Sequence, residues 1–170
     1  MYNESMEKKY EQEFLDIIEP IINNEKVLEM KKYTQHGNID CFEHCLNVSY
    51  YTYKISKKLK LDYKASARAG MLHDFFLYDW RTEGHEPGLF NMHAFTHGRI
   101  AYKNASKYFE LNKKEKDIIE NHMWPVTFKL PKYKETYLIT LTDKYSTLIE
   151  MKNYYKKSIK SILKDLYGRI

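Results

Sequence analysis

The stretch of this sequence with the clearest chemical content is Met71-Leu72-His73-Asp74. From Ala65 to Leu72 the only charged side chain is Arg68, so the segment reads as a helix that is apolar on nearly every face and belongs in an interior. It finishes in an imidazole beside a carboxylate. Burying an ionised carboxylate without a partner is costly, and the commonest strong reason for a buried His-Asp pair is a metal ion. The chain also offers His44, His97, His122 and Asp143, each on or at the end of a separate predicted helix with an apolar face. Helical bundles build metal sites by projecting ligands inward from several helices. Imidazole with carboxylate suits iron, manganese, zinc or a mixed pair, and nothing here is rich enough in thiolate to favour a structural zinc. Six ligands exceed the needs of one tetrahedral ion. They suffice for two if Asp74 bridges, leaving positions for a shared water.

The elements that must position these residues follow from apolar spacing and caps. Tyr10, Phe14, Ile17, Ile18 and Ile21 recur at helical spacing between Glu4 and about Asn23, and a short helix is expected from Lys26 to Tyr33. Gln35 to Ile39 reads as a loop, with Asp40 as N-cap of a helix from Cys41 to Leu59. Its expected inward stripe is Cys41, Cys45, Val48, Thr52, Ile55 and Leu59; His44 faces the core, because Val48, Tyr51 and Ile55 follow at helical spacing. Asp62 caps the helix that ends in His73-Asp74. Arg81 to Phe90, holding Gly84, Pro87 and Gly88, is expected to be an irregular lid or substrate loop.

A helix from about Met92 to Phe109 carries His93 and His97. Asn112 with Glu115 matches a capping box for a helix from Lys113 to Met123, which leads into His122. Two more helices are predicted. The first, Lys134 to Met151, has Leu138, Leu141, Tyr145 and Leu148 as its core stripe, with Asp143 near the edge. The second, about Asn153 to Tyr167, turns Tyr155, Ile159, Ile162 and Leu166 inward and Lys156, Lys157, Lys160 and Lys164 outward. No repeat and no convincing strand emerges. Residues 1–170 are expected to form a single domain, with N-terminal helices over 1–34, a metal-site core over 35–150 and a C-terminal helix over 151–170.

The composition bounds the function. Only 6 Gly and 4 Pro punctuate 170 residues, favouring long helices over an all-β fold. No apolar run is long enough to cross a bilayer and the N-terminus is polar, so a soluble cytoplasmic protein with no membrane partner is expected. Cys41 and Cys45, one helical turn apart, read as reduced thiols on a buried stripe rather than a disulfide framework. A net charge of +5 suits an anionic small molecule as well as nucleic acid and decides neither.

The order H…HD…H…H…D resembles the HD-domain superfamily of metal-dependent phosphohydrolases in its two-metal variant. The resemblance runs from about Gln35 to Glu150 and rests on the segments HGNIDCFEHCLNVSYYTYKISKKL, ARAGMLHDFFLYDW, HAFTHGRIAYKNA, DIIENHMWPVT and TLTDKYSTLIE. It implies an all-α, single-domain orthogonal helical bundle. It implies that His44, His73, Asp74 and Asp143 hold a first metal, and that His97 and His122, with bridging Asp74, hold a second. His97 is preferred to His93 because His97-Gly98 followed by Ala101 fits the pattern there. Two divalent transition-metal ions are implied, Fe or Mn foremost, with Zn, Ni, Co or Mg as other occupants. The expected activity is hydrolysis of a small anionic phosphoester, a nucleotide or dinucleotide, with nucleic acid a poor fit as partner and a homodimer compatible with the chain. Asp74 is then catalytic, Lys144 and Arg99 are candidates to stabilise phosphoryl charge, and His36, Arg81 and His93 are candidates to bind substrate. The chain lacks the Gly-Tyr-Pro extension of cyclic-di-GMP hydrolysing relatives.

Simpler and rival readings stand beside this one. A lone histidine on an apolar face is usually a satisfied core residue, and it is the adjacent His73-Asp74 that shifts the balance. His93 and His97 at i, i+4 lack the glutamate of a metalloprotease helix. Trp80 and Trp124 serve as pocket walls or as plain packing. The same ligand set would serve a di-iron oxygenase, which a few relatives of the fold are, or a non-catalytic binding module stabilised by metal.

Overall fold

Capping side chains set where most of the helices begin. In the computed structural model, which describes residues 2–80, 82 and 93–167 and the side chains of 8–80, 82 and 94–155, helix α1 spans Tyr2–Ile22 and α2 is the single turn Glu25–Leu28. A 3₁₀ turn over Glu29–Lys32 follows. Helices α3 (Cys41–Lys58), α4 (Tyr63–Leu72), α5 (His93–Tyr108), α6 (Lys113–Asn121) and α7 (Lys134–Tyr167) complete a nearly all-α architecture. Asp40 accepts from the Glu43 amide at 2.8 Å and Asp62 from the Ala65 amide at 3.1 Å. Asn112 and Glu115 cap α6 reciprocally, as the sequence pattern requires.

Helix α4 lies at the centre, against α1, α3 and α6. It has no large polar side chain on its inner faces, and Gly70 lets α3 come very close: a Cβ there would lie 2.7 Å from the Ser49 Cα. Ser49 donates to the Ala67 carbonyl at 2.6 Å and Ser56 to the Ser66 hydroxyl at 2.8 Å, so the small polar residues of this crossing are satisfied within it. The main core gathers Ile21, Met30, Val48, Met71, Leu72, Phe75, Phe76, Ile118, Ile119 and Ile139. Cys41 and Cys45 are free thiols buried in it, as expected. No helix among the described residues is long and apolar enough to cross a membrane.

Three expectations are corrected. The expected loop at Gln35 to Ile39 contains an antiparallel hairpin, β1 (Thr34–His36) with β2 (Ile39–Asp40), in which His36 faces Ile39. Strands of three and two residues are too short to show alternation. Gly37, at φ +58°, makes the turn possible, because the first of two turn residues in such a hairpin requires positive φ.

The second correction concerns the α3 stripe. Cys41, Cys45, Val48 and Thr52 are buried, but Ile55 and Leu59 are exposed and Tyr53 and Ser56 are buried instead. Packing against α4 drives the contact line along steps of four residues, which carries it off the apolar spacing read from the sequence.

The third concerns the C-terminal helices, which are one continuous α7. No Gly or Pro lies between Lys134 and Tyr167 to break it. Its inward face is not the leucine stripe but Thr136, Ile139, Thr142, Ser146 and Glu150, while Leu141, Tyr145 and Leu148 face solvent. The threonines are buried at little cost because their hydroxyls are bonded: Thr140 to the Thr136 carbonyl at 2.9 Å and Thr142 to Thr52 at 2.6 Å.

Candidate metal centre

Each ligand candidate is delivered by a different element end or face. His44 comes from the second turn of α3, and His73 is the C-cap of α4 with Asp74 next to it. His97 lies on α5, His122 is the C-cap of α6, and Asp143 lies on α7. All four rings and Asp74 are buried, and Asp143 has 15 % of its side chain exposed.

The two C-cap histidines are held in the same way. His73 Nδ1 lies 2.8 Å from the Gly70 carbonyl and His122 Nδ1 2.9 Å from the Ile119 carbonyl, each three residues earlier. A carbonyl only accepts, so Nδ1 donates in both and Nε2 is turned into the site. His44 is oriented by a carboxylate instead. Its Nδ1 donates to Glu150 Oε2 at 2.9 Å, and the other Glu150 oxygen accepts from Asn47 at 3.1 Å.

Asp74 divides its two oxygens. Oδ2 accepts from the Gln35 amide at 2.7 Å and lies 3.6 Å from His73 Nε2. Oδ1 lies 3.3 Å from His97 Nε2 and 3.5 Å from His122 Nε2, and those two nitrogens are 2.8 Å apart. On the other side, Asp143 Oδ1 is 3.1 Å from His44 Nε2 and 3.9 Å from His73 Nε2. Two donors bound to one ion at about 2.1 Å sit about 3.0 Å apart at right angles and about 3.4 Å apart tetrahedrally, so most of these spacings are those of neighbouring ligands. Two buried atoms, His73 Nε2 and Asp74 Oδ1, have no hydrogen-bond partner. Orphaned acceptors at the centre of a ring of acceptors fit a cation, and the groups His44-His73-Asp143 and His73-Asp74-His122 each converge closely enough to hold one.

The electrostatics agree. Burial opposes charge on His44, yet its bonds to Asp143 and Glu150 carry its pKa well above the ordinary imidazole value. Burial likewise opposes charge on His73, and Asp74 overrides it. Burial alone would raise the carboxyl groups, but His73, His122 and His97 hold Asp74 well below the usual range, and His44 and His73 do the same for Asp143. Opposite charges are thus favoured in contact here, and a cation entering the centre would displace protons from the imidazoles.

Beside these candidate ligands lies a cavity of about 230 Å³, reached by Asp74, His97 and Asp143 and lined further by Gln35, His36, Trp80, Met123 and Lys144. His36 stands edge-on to His44, with ring centroids 5.4 Å apart, and burial lowers its pKa. Lys144 reaches the cavity. Arg99 does not: two residues past His97, it is turned about 200° around α5 and is exposed. Arg81 lies outside the described residues, as does the side chain of His93, and Trp124 packs on Tyr137 rather than in the cavity.

Two contributors escape a reading of the sequence. Glu150 follows Asp143 by seven residues, two helical turns on the same face, and that spacing was the available signal. Gln35 carries no signal, because its approach to Asp74 is made by the hairpin.

The family model described as HD domain matches residues 41–148, well over half of the chain. The chain belongs to the HD domain family. No curated protein and no solved structure matches it. The HD domain match opens on the first residue of α3 and covers His44, His73, Asp74, His97, His122 and Asp143, while Gln35 and Glu150 fall outside it. HD domains are typical of metal-dependent phosphohydrolases, and the two His/Asp groups of this one are compatible with divalent metal ions.

Proposed function

We propose that this HD domain is a metal-dependent phosphohydrolase that cleaves a small phosphoester, of nucleotide or dinucleotide class, with an activated water. The observation that carries this reading is the division of Asp74, whose Oδ2 faces His73 while Oδ1 faces His97 and His122. His44, His73, Asp74 and Asp143 would hold one ion, and His97, His122 and the bridging Asp74 a second. Bound there, divalent ions, iron or manganese by donor type, supply Lewis acidity toward a phosphoryl oxygen and lower the pKa of water from about 15.7 toward about 7.

The chain's own residues supply the rest. The Gly70 and Ile119 carbonyls and the Glu150 carboxylate fix three imidazoles before any ligand arrives, so little reorganisation is needed. Lys144, beside Asp143, brings a positive charge to the cavity wall, where it would offset phosphoryl charge. His36, kept neutral by burial, is available to hydrogen-bond substrate, and Trp80 and Met123 offer an apolar wall.

The test is metal analysis of protein purified without chelators, followed by phosphate release from a panel of nucleotides and activated phosphoesters. At least one equivalent of transition metal and phosphate release that Asp74→Ala abolishes are expected. Less than one equivalent, unrestored by added Mn or Fe, would overturn the reading. Turnover that requires dioxygen and releases no phosphate would replace it with di-iron oxygenation.

A further inference from the structure

The face of α7 opposite the metal centre is apolar and bare. Leu141, Leu148 and Tyr155 are 65 %, 67 % and 56 % exposed, and Tyr145 is also exposed. At about 100° per residue, Leu141 and Tyr145 each sit about 200° from Asp143, so one helix carries metal ligation on one side and this stripe on the other. The patch continues onto α3. The Tyr51 ring stands edge-on to Tyr145 with centroids 5.6 Å apart, and Ile55 and Leu59 extend the Tyr51 row with 37 % and 60 % exposure.

Spacing identifies what covers it. Positions 138, 141, 145, 148, 152, 155, 159, 162 and 166 advance by alternating steps of three and four, and hold Leu, Leu, Tyr, Leu, Lys, Tyr, Ile, Ile and Leu. A sustained 3.5-residue period is the pattern of a helix that pairs with another helix along its whole length. From 138 to 166 that length is about 42 Å. A strip of this length and a helix's width of about 10 Å covers about 420 Å², and the Tyr51, Ile55 and Leu59 row of α3 widens it toward the upper end of the roughly 300–600 Å² at which exposed apolar patches are often functional. Within this chain, α1 is committed elsewhere, since its Phe14, Ile18 and Ile21 are buried in the core.

We propose that α7 is the dimer interface, and that the α7 helices of two copies of this chain pair antiparallel along this stripe. Lys152 sets the direction. In a parallel pair its ammonium would face the same ammonium of the second copy, a like-charge contact in the seam. Antiparallel pairing sets Leu141 against Ile159, Tyr145 against Tyr155 and Leu148 against the alkyl stem of Lys152, whose ammonium reaches water. Each contact occurs twice about a two-fold axis, so the interface closes on itself.

Sedimentation of the full chain tests this. A species of twice the 20.6 kDa chain mass is expected, and a monomer at micromolar concentration would overturn the proposal. Leu141→Glu with Leu148→Glu should weaken dimerisation by roughly 100-fold or more while helix content and bound metal stay as in the parent. A dimer that survives both changes overturns the assignment of the face. Disulfide trapping fixes the direction without disturbing the fold: Leu141→Cys combined with Ile159→Cys should cross-link two chains, and Ile159→Cys alone should not. Cross-linking through Ile159→Cys alone means a parallel pair and sinks the antiparallel arrangement.

Discussion

His44 and Glu150, 106 positions apart in sequence, are joined by a 2.9 Å hydrogen bond from Nδ1 to Oε2, which aims the opposite nitrogen of the ring at Asp143. A carboxylate in this position fixes the tautomer and raises the basicity of a metal-binding imidazole. Glu150→Gln keeps the volume and removes the charge, so metal affinity is expected to fall about 10- to 100-fold with the fold intact. Competition against a chelator of known affinity measures it. An affinity equal to that of the parent would remove Glu150 from any part in the centre.

Asp74 stands between His73, 3.6 Å from one of its oxygens, and the pair His97 and His122, 3.3 and 3.5 Å from the other, whereas His122 reaches only one of its oxygens. Asp74→Ala should therefore empty the centre altogether, and His122→Ala should halve the metal content while leaving the His44 side loaded. Elemental analysis of both variants distinguishes these outcomes; equal losses would show that the centre does not divide at Asp74.

Gly98 allows α5 to lie against the end of α6. A Cβ there would stand 2.8 Å from the Glu120 carbonyl oxygen and 2.9 Å from that of Ile119, the same carbonyl that holds His122. These are backbone atoms and cannot swing aside. Gly98→Ala is expected to cost about 1–3 kcal/mol in a denaturant titration, by overpacking, and to pull His97 away from His122. An unchanged unfolding midpoint would mean that the two helices are not held at this distance.

Metal uptake should depend on pH in a definite direction. The pKa values of His44 and His73 are raised by Asp143, Glu150 and Asp74 against the effect of burial. Without metal both rings are protonated at and above about pH 6.5, and an imidazolium cannot ligate. Apparent affinity should rise with pH through neutrality, with protons released on binding, which calorimetry in buffers of different ionisation enthalpy detects. The stability of the chelated protein runs the other way at this end. Raised imidazoles contribute stability below about pH 6.5 that is lost as pH climbs through their folded values, whereas the depressed Asp74 and Asp143 contribute above about pH 4 and lose it on acidification. Chelated protein whose unfolding midpoint is flat across that whole range would contradict the network of charges.

Taken alone, the sequence determined the helical class, the caps at Asp40, Asp62 and Asn112, and the six ligand candidates, because these depend on local hydrogen bonding and on residue types that few other roles explain. The inward turn of His44 was legible too, but for a reason that holds only in part: of the three neighbours expected to share its face, Val48 is buried and Ile55 is exposed. Which face of α7 turns inward was decided only by the tertiary structure. Hydrophobic periodicity assumes that apolar side chains seek the core, but Asp143 and Glu150 reach the buried His44 ring from α7, and the same face carries buried Thr140 and Thr142, whose hydroxyls bond their own helix carbonyls. That arrangement turns Leu141 and Leu148 outward. The approach of Gln35 to Asp74 was likewise invisible in one dimension, because a two-residue turn at Gly37 makes a contact that no periodicity records.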